Sequence, residues 1–359
     1  MNTTNKQCFD AHSAETKVLF PFRIGVEPMK RLLIASFDNH DEYEAIEPQL
    51  FDDAINGTGI RVLVYRRDKL VDVYYQKGVR INWDTFSIGS GIDTRLETII
   101  EPSVFQISDG GVNLHVVFTD KHKRVVELKI CEKTTSKKRL TFLAPVGNDI
   151  TQPKQLFLAF MKEFDFVARA NTLFYAKVGD IELKPSGFPI SRNGKRVFFA
   201  RYSNKPIVGT LNPVTASPLI VPYRGEFSLF TDGMNITFGP NGVTSISMVY
   251  EGVDICVDFE KGVPNLFELQ DKVLYSDNWT YRIDNQVVTG GKFQLRRTMS
   301  LVKMQLDINK EWVPKGLPFS FRLFTYFASF FRKWPTTYYW EGSIDLTLAN
   351  RMQSSWKRK

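Results

Sequence analysis

The feature that most constrains this chain is its punctuation. Short runs rich in Val, Ile, Phe, Tyr and Thr recur throughout its 359 residues, each cut off by Gly, Asn or Asp, the pattern of strands joined by tight turns. "GIRVLVYRRDKLVDVYYQ" reads as a strand, an Arg-Asp-Lys turn and a second strand, and "GVNLHVVFTDKHKRVVELKI" repeats the plan. In the second, Leu114, Val116 and Phe118 share one face, and Val126, Leu128 and Ile130 share one face of the partner, because strand side chains alternate. "FPISRNGKRVFFARY", turning at Asn193-Gly194, and longer stretches beginning at Met234 and Trp279 continue the pattern. Helical spacing is confined to Glu44–Ala54 and a piece around Phe321–Phe331. The expectation is a mainly antiparallel, all-β protein.

An internal match suggests how the strands are grouped. The segment from Phe105 lays over the segment from Ile236, with Gly111-Val112 falling on Gly242-Val243 and the second hairpin turn two residues shorter in the later copy. Antiparallel hairpins share much of that pattern by nature, so duplication and coincidence both account for it. Taken as a repeat, it divides the chain into two β units, residues 1–180 and 181–359, each of a size typical of a small barrel. The Pro-containing stretch Asn212–Gly225 is the other candidate junction.

Composition narrows the class. The 47 Lys and Arg against 39 Asp and Glu give a net charge of +8, but the basic residues are spread along the chain, so charge alone proves no polyanion binding. No RNA-binding signature or other nucleic-acid module is present, and no nucleic-acid partner is expected. Cys8, Cys131 and Cys256 are isolated, which favours a reducing compartment. The first 20 residues lack the basic start and apolar run of a secretory signal, and nowhere are 18 apolar residues consecutive. The expectation is a cytoplasmic protein without a transmembrane helix. Gly-x-Ser-x-Gly, His-Glu-x-x-His, Walker and dinucleotide fingerprints are absent, and His12, His40, His115 and His122 form no metal spacing. His40 sits in the acidic loop "DNHDEYE", which fits either a cation or plain solvation, and His122 reads as a turn residue. No metal and no cofactor are expected.

Aromatic residues point to a ligand class. Phe alone numbers 29, and the segments "LFLAFMKEFDFV", "VLVYRR" with "LVDVYY", and "RLFTYFASFF" read as strands apolar on both faces. Such strands belong either to a sandwich interior or to a barrel whose lumen takes an apolar guest. Residues 321–342 hold ten aromatic side chains in 22 positions, interleaved with Arg322, Arg332 and Lys333. Phe327, Phe331, Trp334, Tyr338 and Trp340 are therefore expected to line a ligand-binding mouth, with the basic residues keeping its rim in water. The same basic, aromatic segment would also suit peripheral contact with a membrane surface.

At these residues the chain resembles the tandem-lipocalin superfamily, which includes carotenoid hydratases, tocopherol cyclase and lipocalin-type Diels–Alderases. The resemblance lies in the two-unit β layout, the tryptophan-rich late region and the final strand "YYWEGSIDL", where an aromatic and a glutamate precede a glycine. The Gly-x-Gly-Tyr that often precedes that glutamate is absent. The resemblance implies two lipocalin-like antiparallel barrels with few short helices. It also implies a polyene, prenyl chain or other large hydrophobic molecule as ligand, and cofactor-free hydration, isomerisation or cyclisation where there is catalysis.

Four residues are candidates for chemistry. Glu341 and Asp345 share a side of the final strand, two steps apart at roughly 7 Å per step, together with Tyr339; burial among rings would raise a carboxyl pKa into the range that protonating an alkene requires. His115 lies opposite the Leu114-Val116-Phe118 face and would serve as a proton carrier if that side met a lumen. A solvated or hydrogen-bonded strand face accounts for all four more simply. The sequence thus leaves two readings, a binder or cofactor-free converter of a bulky hydrophobic molecule and a non-catalytic β interaction module recruited to membranes by its basic aromatic end.

Overall fold

The computed structural model describes residues 16–133, 138–145, 150–223, 227–348 and 351–359; Cys8 and His12 lie outside them. The protein is all-β, with 60% strand, 7% helix and two short α-helices among the described residues.

The first half stacks two sheets. A nine-stranded sheet runs, in spatial order, Leu140–Leu143, Leu156–Ala168, Val197–Leu211, Arg31–Ser36, Tyr43–Asp53, Gly57–Arg66, Val71–Tyr75 and Ile92–Glu97, with Ile24–Glu27 also paired to Val197–Leu211. A five-stranded sheet has the order Ile181–Glu182, Thr172–Val178, Val125–Glu132, Gly111–Thr119 and Ser103–Ser108. Leu33, Ile46 and Val62 of the large sheet share a core with Leu114, Val116, Leu128 and Ile130 of the small one. Asp120, at the turn after Gly111–Thr119, stitches the sheets by accepting hydrogen bonds from Tyr43 Oη at 2.9 Å and Arg124 Nε at 2.8 Å.

The second half is one nine-stranded meander from Ser228–Thr231 to Met352–Arg358, each strand paired antiparallel with the next. Among the described residues no ladder joins its first strand to its last, and none closes the first half, so neither sheet system forms a closed ring. The two segments that match in sequence share their first hairpin geometry: Ser108 pairs with Gly111 and Gly239 with Gly242. Both Gly111 and Gly242 have positive φ, 117° and 123°, which an L side chain rarely adopts.

Three expectations are corrected here. Glu44–Ala54 falls largely in the strand Tyr43–Asp53, not a helix; its polar Glu47 and Gln49 alternate with Ile46 and Pro48 in the strand period. "RLFTYFASFF" is not a double-sided strand but lies in helices α1 (Phe319–Phe327) and α2 (Phe330–Lys333). The sheets also change later than residue 180: Val197–Leu211 still belongs to the large sheet, and the meander begins at Ser228.

Residues 18–22 cross to the other half. Phe20 and Phe22 are fully buried, and the Phe22 ring lies 5.4 Å from Phe259, 5.6 Å from Phe293 and 5.9 Å from Trp340. The meander's inner face is therefore packed with the chain's own rings. Asn265 holds the segment, accepting from Leu19 N at 2.9 Å and donating to Lys17 O at 3.0 Å. Asn212 ties the other end, accepting from Arg23 N at 2.8 Å through its side chain and from Trp356 Nε1 at 2.8 Å through its carbonyl.

Phe22→Ala should cost about 3–5 kcal/mol and lower the stability of both halves together, since one ring serves both. Chemical denaturation followed by tryptophan fluorescence and by far-UV circular dichroism should give a single, coincident, shifted transition. Two separated transitions, with the first half unmoved, would contradict this.

Candidate functional site

The cavity that stands out is a cleft of about 290 Å³ between the outer face of the large sheet and the arm formed by α1 and α2. Local sequence builds each wall. Along Leu156–Ala168, Met161, Phe164 and Phe166 all reach the cleft, although strand alternation would put Met161 opposite the other two. Against Leu140–Leu143 the register shifts between the pairs Leu140–Phe164 and Phe142–Met161, and Glu163 within that stretch has φ 50°, so this bulge restores a single apolar face. The rings continue as a chain: Phe142 to Phe164 at 5.3 Å, Phe164 to Phe166 at 5.3 Å, Phe166 to Phe188 at 4.4 Å and Phe188 to Phe199 at 5.4 Å.

The arm roofs this wall. Phe331 lies 5.6 Å from Phe142, and Phe324 lies 5.5 Å from Phe188. Buried Trp312 and Trp334 anchor its ends, while Arg332 reaches Glu311 at 3.2 Å and Thr325 O at 3.1 Å. Phe321 is buried beneath α1, with the Arg192 guanidinium 5.8 Å from its ring. The opposite side of the arm is exposed at Phe319, Tyr326 and Phe327.

At one end the apolar wall meets a polar group. Glu47 is only 5% exposed; it accepts hydrogen bonds from Gln49 Nε2 and Tyr65 Oη, both at 2.6 Å. Gln49 in turn accepts from Arg61 Nε at 2.7 Å, and Arg61 lies against the rings of Phe51 and Phe86 at 4.8 and 4.4 Å. Pro48 shapes this corner. The ladder between Arg31–Ser36 and Tyr43–Asp53 runs from Leu32–Gln49 to Ala35–Ile46 and skips Glu47 and Pro48, and proline has no N–H to donate there.

Burial raises the Glu47 carboxyl above its ordinary range, against the opposing pull of Tyr65, Gln49, Arg201 and Arg61. Burial likewise raises Glu27, which accepts from Gln155 at 3.0 Å, and lowers Arg61 to about 10. Arg201 lines the cleft, is also lowered by burial and lies over the Phe199 ring at 4.3 Å. A carboxyl held toward its neutral form within an apolar cleft is equipped to give up a proton.

The residues singled out from sequence are dispersed. Phe331 lines the cleft. Trp334, Tyr338 and Trp340 are buried: Trp340 packs on Phe22 inside the meander, and Tyr338 Oη donates to Ile150 O at 2.5 Å. Phe327 points outward, 76% exposed. Glu341 pairs with Lys357 on the meander's surface, along a shallow polar groove. Asp345 bonds with the Thr347 backbone N–H and hydroxyl, which hold its carboxyl below the usual range. Tyr339 is half-buried and paired in register with Asp307. His115 stands on the outer face of the five-stranded sheet, 3.0 Å from Glu127. His122 does occupy a turn, 3.2 Å from Glu42. His40 is buried instead of solvated, accepting from Tyr43 N at 2.9 Å. No group of three potential metal ligands occurs among the described residues.

Sequence reasoning missed Glu47, Tyr65 and Arg201. A signal was present: Arg61 and Tyr65 alternate with buried Val62 and Val64, just as Glu47 and Gln49 alternate with Ile46 and Pro48, so polar residues occupy one face of two adjacent strands. No protein-family model, curated protein or solved structure matches this chain.

The raised Glu47 pKa sets a pH dependence. Its contribution to stability is full below the unfolded value near 4.3 and is lost as pH rises through the higher folded value. Glu47→Gln, which does not ionise, should gain on the wild type progressively from about pH 4 upward, measured by urea unfolding across pH. A wild type that gains on the variant over that range would show an ionised, paired Glu47.

Proposed function

We propose that this protein binds a bulky hydrophobic small molecule of the isoprenoid or polyene kind in the cleft beneath the arm, and that Glu47 converts it without a cofactor. The observation that carries this reading is the meeting of a continuous phenylalanine wall with a buried carboxyl of raised pKa. In the conversion, the Glu47 carboxyl gives its proton to an alkene carbon, whose π pair forms the new C–H bond and leaves a carbocation. Either water adds and returns its proton to the carboxylate, completing hydration, or a neighbouring C–H does so, completing isomerisation; in cyclisation the π pair of a second alkene in the same molecule first forms a C–C bond to the cation, and a C–H beside the new cation then returns the proton. We also read the two halves as lipocalin-like units opened at their edges; the consecutive nine-strand meander supports this. A cleft of about 290 Å³ is at the small end for a ligand pocket, so a polyene-sized guest displaces the arm outward.

An environment-sensitive apolar dye should bind the native protein stoichiometrically and be displaced by long prenyl or acyl compounds. Ile34→Trp, which fills the cleft from a half-buried position, should abolish dye binding at a stability cost of no more than about 1–3 kcal/mol. Dye binding that survives this substitution, or that disappears with Trp340→Ala in a protein that still folds, would place the ligand elsewhere.

A second reading is favoured by the arm's outer face. Phe319, Tyr326 and Phe327 are exposed, Lys315 and Arg322 lie exposed beside them, and residues 312–340 contain no Asp or Glu. On this reading the protein is a non-catalytic module that rests the arm on an anionic membrane. Vesicle sedimentation distinguishes the two: the second requires binding that weakens by about 1 kcal/mol per basic residue removed at Lys315 and Arg322, with no dye binding in the cleft.

A further inference from the structure

Arg201 presents a largely unengaged guanidinium to the cleft. It stands on the strand Val197–Leu211 between Phe199 and Ser203, with Phe166 and Ile34 as its cross-strand neighbours. Its only hydrogen bond among the described residues is a long one, from Nη1 to Ser36 Oγ at 3.4 Å. No carboxylate of a described residue comes within 4 Å of it. Glu47, the acid that acts on it through space, has its oxygens engaged by Gln49 and Tyr65. A guanidinium has five N–H donors in a rigid fork, and most of the half-buried Arg201 fork makes no hydrogen bond to the described residues beside the apolar cavity.

We propose that the ligand is an amphiphile with a monocarboxylate head, which Arg201 clamps while the apolar body lies along Phe142, Phe164 and Phe166. This deepens the cleft reading and rests on it. One fork matches one planar carboxylate bidentately. A phosphate or diphosphate brings more negative charge than a single guanidinium balances and would set it near Glu47. The head group thus fixes the register of the chain: across the sheet Arg201 stands between the phenylalanine wall and Glu47, so the carbons nearest the carboxylate are the ones closest to Glu47, and the substrate's reactive bond is close to its acid end.

The test is calorimetric titration of dodecanoic acid, methyl dodecanoate and dodecanol into the wild type, Arg201→Gln and Arg201→Lys. The acid should bind the wild type about tenfold or more tightly than the ester or alcohol, the scale of a charge-assisted pair. That preference should vanish in Arg201→Gln and be partly kept in Arg201→Lys, while the neutral ligands bind all folded variants alike. Equal affinity for all three ligands in the wild type, a comparison that needs no variant, would overturn the carboxylate assignment and leave the cleft reading standing. A preference retained in Arg201→Gln would do the same. Failure of all three to bind the wild type would overturn both.

Discussion

Packing of Phe20 and Phe22 into the C-terminal meander decides how the rest of the molecule is arranged. Each buried ring stabilises the fold by roughly 1.5–3 kcal/mol relative to an exposed one, and Phe22 does so by touching Phe259, Phe293 and Trp340 on three different strands. The segment that carries them also continues into Ile24–Glu27 of the large sheet. The two halves are thereby one packed body. Tyr281 adds to this: its hydroxyl donates to Thr210 O at 3.3 Å, and a Cβ at Gly209 would sit 2.6 Å from Tyr281 Oη.

Once the meander's interior is filled, the apolar surface left to account for is the face of the large sheet turned away from the five-stranded sheet. A purely structural face of that kind would be covered by well-packed aliphatic residues. Here it carries buried Glu47 and Arg61, whose burial is unfavourable without close pairing, and half-buried Arg201. Gln49 spans Arg61 and Glu47, Phe51 and Phe86 hold the Arg61 guanidinium, and Arg201 keeps its donors toward the cavity. Functional sites are where folds tolerate such arrangements. The arm completes the site because Trp312 and Trp334 pin its ends while its middle spans the cleft.

The strand pattern was legible because turn residues and alternation are local properties; the Gly111 and Gly242 hairpins follow directly from them. The double-sided apolar strands in "LFLAFMKEFDFV" and in "VLVYRR" with "LVDVYY" were recognised, their physical reason being a sheet covered on both faces, whereas "RLFTYFASFF" proved helical. The site was harder to read. Pro48 disguised a central strand, and Met161 shares a face with Phe164 only because of the bulge at Glu163, which alternation alone does not reveal. Glu341 and Asp345 were candidates for a buried acid pair only because rings surround them in sequence; strand alternation turns Tyr338 and Trp340 inward and leaves the acids on the solvated face the sequence also allowed, facing Lys357 and Thr347. Nearness in sequence to aromatic residues does not imply nearness in space.

The most direct test of the central claim is anomalous diffraction from crystals of the protein grown with a long-chain carboxylic acid brominated at its far end. The account predicts a bromine peak among Phe142, Phe164 and Phe331, carboxylate density at Arg201 and no peak inside the meander, where Phe22 occupies the space. A bromine peak beside Phe259 and Trp340, with Phe22 displaced, would contradict it, as would a fully occupied ligand on the outer face of the arm.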